Sequence, residues 1–184
     1  GLTEIRLEPK TEKAHITKEI LDCFKQSFLF LKSQRKTFLL MLANSLVGAL
    51  DVLLLFFLQA KLPMAHIPNW ALGIALFAMQ MGGMLGAKLA LLCRRLNYYA
   101  MFALDFVLLL SAIAMEHTGV YIVMALGGFL ATMSDDALQV RTNTIMQERF
   151  PSEQRATLIS IDSFTFSLVM IILSPLAGLF FTLW

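Results

Sequence analysis

Carboxyl groups set in apolar sequence carry the first chemical signal. Asp51 stands amid Val52-Leu53-Leu54-Leu55, and Asn44 lies seven residues earlier on the same helical face. A charge at the centre of a membrane helix costs about 2.5–3.5 kcal/mol on insertion scales, so an ionisable residue there marks a functional position by default. Asp51 reads either as a substrate contact or proton carrier, or as a structural hydrogen bond to a neighbouring helix. Gln80 lies near the middle of its own apolar segment and would line the same cavity as Asn44. Asp105 has no polar companion one turn away and reads as structural. Asp135 and Asp136 point in different directions on a helix, so at least one should face a helix interface or water. Arg94, Arg95, Arg141 and Asp162 collect on the same side as this pair. They form either an ion-pair cluster that breaks and remakes as helices rock, or independent snorkelling charges.

Catalytic signatures are missing. His15, His66 and His117 are far apart, there is no His-Glu-x-x-His, and no serine sits in Gly-x-Ser-x-Gly. No Gly-rich phosphate loop with a lysine occurs, which argues against an ATP-driven pump within this chain. Neither an enzyme, a metal site nor a cofactor is expected. Cys23 and Cys93 imply no disulfide framework.

Membrane helices must position these groups. The 184 residues are 58% hydrophobic and only 15% charged, against about 45–50% and about 25% in soluble domains. The apolar residues lie in runs too long for a soluble core. Residues 37–59, 70–92, 98–115, 119–140 and 156–184 are each long enough to cross a bilayer. Lipid leaves backbone amides unsatisfied outside helices and closed barrels, and stretches such as Val52–Leu58 do not alternate as barrel strands would. The expected fold is an all-α multi-pass bundle over 37–184, preceded by a cytoplasmic linker over 1–36.

Lysine and arginine set the orientation. Fourteen lie on the side of residue 1, with Lys61 alone opposite. The N-terminus should therefore be cytoplasmic. Trp70, Tyr98, Tyr99, Tyr121 and Trp184 all fall at segment ends, where half-wet rings belong.

Residues 11–32 read as an amphipathic helix. Ile16, Ile20, Phe24 and Phe28 recur every four residues, with Leu21 and Leu31 widening the stripe and Lys18, Lys25 and Lys32 opposite. Such a helix lies on the bilayer surface or forms a solvated linker; its basic residues are too mixed with acids for nucleic acid. Ala78, Gly82, Gly86 and Ala90 form a small-residue packing seam, and Gly127 with Gly128 could serve similarly. Pro175 should kink the last span.

The stretch from Asn143 to Ser160, Asn-Thr-Ile-Met-Gln-Glu-Arg-Phe-Pro-Ser-Glu-Gln-Arg-Ala-Thr-Leu-Ile-Ser, resembles the junction between helices ten and eleven of major facilitator superfamily transporters. Ser174-Pro175-Leu176-Ala177-Gly178 looks like that family's eleventh helix. Gly86, Arg94 and Arg95 are similar to its Gly-x-x-x-Asp-Arg-x-Gly-Arg-Arg loop in the decayed second copy, with Ala90 and Cys93 replacing Asp and Gly. The resemblance covers nearly the whole chain, as helices seven to eleven. It implies the C-terminal half of a secondary transporter in the cell membrane, working by alternating access with an N-terminal half and a small-molecule substrate. Asn44, Asp51, Gln80 and Thr132 would line the central site, and Asp105 would lie peripheral. The eleven methionines suit a lipophilic substrate and lean the reading toward proton-coupled efflux. The chain is expected to be a piece of a longer protein. The alternative is a non-transporting multi-pass subunit with an assembly or sensing role.

Overall fold

A backbone amide in lipid has no partner but its own helix, and the chain folds accordingly. The computed structural model describes residues 22–92 and 96–183, with side chains through 180. Cys93, Arg94, Arg95, Trp184 and the first half of the expected amphipathic helix lie outside the described residues. Among the described residues there is no strand. Helix α1 covers residues 22–33, followed by α2 (Arg35–Lys61), α3 (Asn69–Leu92), α4 (Tyr98–Glu116), α5 (Tyr121–Arg149) and α6 (Arg155–Leu183).

Four of the five expected spans, α2, α3, α4 and α6, are long and apolar enough to cross a membrane. The remaining one, α5, has 29 residues, about 43 Å at 1.5 Å per residue, but Asp135, Asp136 and Arg141 interrupt its apolar run. Its boundaries also differ from the expected 119–140. Gly119 adopts a left-handed φ of 65°, which delays the start to Tyr121. The helix then runs on to Arg149 and stops where Phe150 turns extended before Pro151, as the residue before proline must. Asp135 and Asp136 consequently sit near the middle of the helix rather than deep in its inner half. At the last span, α6 continues as one helix with Pro175 inside it.

Contacts fix the helix directions. Asn44 meets Thr142 while Leu58 lies by Gly128, so α2 and α5 are antiparallel. Met79 meets Thr132 and Gly86 meets Met133, so α3 runs parallel to α5. Asp105 meets Ser134 and Ala112 meets Gly127, so α4 is antiparallel to it. The bundle is up-and-down, with α5 packed against α3, α4 and α2, and α6 mainly against α2. The Lys61 turn and the α3–α4 turn therefore lie at opposite ends.

No hydrophobic force drives helices together in lipid, so close backbone approach matters more. The seam expected at Gly82 and Gly86 is where α3 meets α5: a Cβ at either would strike the backbone carbonyl of Phe129 or Met133. The Thr132 hydroxyl donates to Met79 O across the same seam, 2.6 Å away. Gly127 and Gly128 in turn admit Ala112 and Met79.

Two apolar clusters fill the interior. One, toward the Lys61 end, includes Leu54, Leu58, Met79, Leu109, Ala112, Met124 and Ala131. The other, at the opposite end, includes Leu31, Leu40, Met41, Met146, Phe150 and Leu158. Helix α1 docks on the second through Cys23, Ser27 and Leu31, and Cys23 Sγ lies 3.1 Å from Thr157 Oγ1. This docking face takes Leu31 from the expected stripe but Cys23 and Ser27, one residue earlier, in place of Phe24 and Phe28. Phe24, Phe28 and Leu29 stay exposed.

Candidate functional site: a carboxylate tier at mid-bundle

Between the two apolar clusters the interior turns polar. On α2 the change falls between Met41 and Leu54, on α5 between Ala131 and Met146, and on α4 below Leu109. Asp51, Asp105 and Asp135 occupy this level, with 4%, 3% and 8% of their surface exposed. Ser134 Oγ donates to Asp105 Oδ1 over 2.6 Å. Asp135, Asp105 and Asp136 lie close enough for their charges to act on Asp51. Oδ1 of Asp51 and Oδ1 of Asp135 are buried with no hydrogen-bond partner.

An oriented chain of hydrogen bonds leads to this tier along the α2–α5 contact. The Thr142 hydroxyl donates to Asn44 Oδ1. Asn44 Nδ2 donates to Gln139 Oε1 over 2.8 Å. The Gln139 side chain in turn bonds the Asp135 carboxylate. Positions 135, 139 and 142 are four and three residues apart, which places them on one face of α5. Removing one hydroxyl should be felt. Thr142→Val keeps the shape but leaves Asn44 Oδ1 without its donor, a loss of about 1–3 kcal/mol for a buried acceptor. Thermal unfolding in detergent should show it, while Thr144→Val at an exposed position should leave the midpoint unchanged.

Asn44 and Asp51 are both buried on α2, and Asn44 bonds Gln139 and Thr142 of α5. Gln80 is not buried: it is exposed on α3, whose buried residues Met79, Gly82, Gly83, Gly86 and Ala90 include those packed on α5. Thr132 is buried, and its hydroxyl is taken up at the α3 seam. Asp105, expected at the periphery, is inside the bundle because its polar companion comes from α5 rather than from its own helix.

The expected inner-end charge cluster is divided. Asp135 belongs to the tier, and Asp136 is exposed beside Gly83 of α3. Arg141 is half-buried one to two turns further along α5, Asp162 is half-buried on α6, and Arg94 and Arg95 lie outside the described residues. Ser134 and Thr142 were missing from the sequence-based set. Thr142 could have been found from its helical spacing with Asp135 and Gln139, while Ser134 carried no such signal because it faces α4.

Adjoining the tier is an apolar cavity of about 330 Å³ between α2, α4 and α6. Leu50, Leu54 and Leu109 line its inner part, and Lys61 and Glu116 its outer part. Lys61 Nζ and Glu116 Oε1 are 2.9 Å apart. Leu54 lies one turn from Asp51 and Leu109 one turn from Asp105, and the tier's carboxyls are not among the residues lining the cavity. Among the described residues no group of three or more His, Cys, Asp or Glu is placed to hold a metal ion.

Comparison of the chain with protein-family models, curated proteins and solved structures finds no match. Function must be argued from the tier and its surroundings.

Proposed function

We propose that the chain is the C-terminal half of a secondary active transporter of major facilitator type, in which Asp51 couples proton movement to efflux of a small lipophilic compound or metabolite. One observation carries this reading: buried carboxyls from α2, α4 and α5 share one level halfway along helices of membrane length. Such groups are costly in a bilayer and are found where ions or substrates pass. Transporter sites of this kind lie near the membrane midplane, at the interface of two repeats. The uncovered surface of α6 fits a role against an N-terminal half, since only 6% of its most apolar stretch is buried. The excess of lysine and arginine at one end supports a cytoplasmic N-terminus in a cell-membrane protein. Alternating access then needs the helices to rock about the tier, and the glycine seams offer smooth surfaces for that motion.

The parent gene tests the reading. About six further spans should precede this segment, since such transporters pair two six-helix halves. An initiator methionine close to Gly1 would retire it in favour of a stand-alone subunit. Single cysteines at the Lys61 turn and between α3 and α4 should label from opposite faces of the membrane. Labelling from one face would overturn the threading.

A further inference from the structure

We infer that a cavity at the inner end of the bundle, where α1 hands over to α2 beside the last turn of α5, binds the phosphate of an anionic membrane lipid. The site is remote from the carboxylate tier, and the inference does not depend on transport.

The cavity measures about 310 Å³ and is lined by Phe30, Gln34, Lys36, Thr37 and Arg149. That is the small end of ligand-pocket size, enough for a phosphate and a short polar headgroup. Two of the five lining side chains are cationic and none is acidic. Among the described residues neither Lys36 nor Arg149 has an ion-pair partner. Two cations facing one space repel unless an anion lies between them. Thr37 gives an independent sign of a ligand. It is only 2% exposed, and its hydroxyl has no hydrogen-bond partner among the described residues. Buried hydroxyls are normally bonded, and a ligand oxygen in the cavity would supply the partner. The backbone agrees with this charge. Gln34 is the N-cap of α2, makes no side-chain cap bond, and is followed by no acid in the first turn. The first amides of a helix lack partners within it, and its dipole favours an anion there.

The level of the cavity selects a lipid over a soluble anion. Tyr98 and Tyr99, with ring centroids 4.1 Å apart, stand at the same end of the bundle, and the Arg149 charge acts on Tyr98. Tyrosines belong at headgroup depth. Immediately along α2, Phe38, Leu39 and Leu42 are exposed, as residues in contact with acyl chains would be. A lipid can therefore place its phosphate between Lys36 and Arg149 while its tails follow α2 into the hydrocarbon. Basic pockets between membrane helices on the cytoplasmic side hold lipid headgroups in this way.

Native mass spectrometry of the full-length protein in neutral detergent, titrated with phosphatidylglycerol or phosphatidylcholine, tests this. Phosphatidylglycerol should add first as one tightly held molecule, about tenfold more readily than phosphatidylcholine. Lys36→Gln and Arg149→Gln should each weaken that first step about fivefold, the order expected for one charge at a headgroup surface, and the double variant should remove it. Thr37→Val should also weaken it, while the thermal midpoint without lipid stays as in the parent. Lys25→Gln combined with Arg155→Gln removes the same charge from two exposed residues at the same end that do not line the cavity. That control should bind as the parent does. Inorganic phosphate in large excess should leave the lipid in place, since it lacks the tails. Equal uptake of both lipids, equal loss in the Lys25–Arg155 control, or full displacement by inorganic phosphate would each overturn the proposal. A protein that holds the lipid yet moves nothing across vesicles would retire the transporter reading and leave this site intact.

Discussion

Replacing Gly86 with leucine should detach α3 from the rest of the bundle. A Cβ on Gly86 would meet the backbone carbonyl of Met133, and one on Gly82 that of Phe129, so neither obstacle can rotate away as a side chain could. Even Gly86→Ala sets two opposed effects against each other. Alanine gains about 1 kcal/mol in helix propensity, while overpacking a closed interface costs about 1–3 kcal/mol. Because the clash is with backbone, the overpacking side should win, and the thermal midpoint in detergent should fall. For Gly86→Leu the α3–α5 interface has no room at all, and the Thr132–Met79 bond should be lost with it. Limited proteolysis should then cut the α3–α4 connection readily. Gly178 is the control, since nothing lies within 4 Å of the position its Cβ would take. Gly178→Ala should leave the midpoint unchanged or raise it. A Gly86→Leu protein with parental stability would mean that α3 and α5 do not meet as described.

The second large effect concerns Asp51. In the full-length protein, Asp51→Asn should slow proton-coupled flux about a hundredfold, the order by which loss of a positioned acid–base group slows a proton-transfer step. Asparagine nearly matches the shape of aspartic acid, so folding should survive and the loss should be functional. Asp105→Asn offers the contrast. Asp105 holds Ser134 across the α4–α5 contact, so its replacement should lower stability more than it alters coupling. Flux in vesicles at several pH values separates the two. Parental rates for Asp51→Asn at every pH would remove Asp51 from the coupling role and leave it a structural group.

Membrane character and the approximate extent of most helices were legible in the amino-acid order alone, though α5 runs over Tyr121–Arg149 rather than the expected 119–140. Long apolar runs and the one-sided distribution of lysine and arginine are local properties that need no partner to be read. The seam at Gly82 and Gly86 was equally visible, since small residues at spacing four have few other uses in a membrane helix. So was Asp51, whose cost in lipid depends on its own surroundings in the chain. What faced what was decided only by the tertiary structure. Ser134 became the partner of Asp105 because antiparallel packing of α4 on α5 brought together residues 29 positions apart. Thr142 and Asn44 met across 98 positions, and Gln80 was turned outward because α3 presents its glycine face to α5. Helical period tells which residues share a face but not which neighbour that face meets. The grouping of Asp51, Asp105 and Asp135 into one tier is a consequence of helix register, and register is set by side-chain fit between helices far apart in sequence.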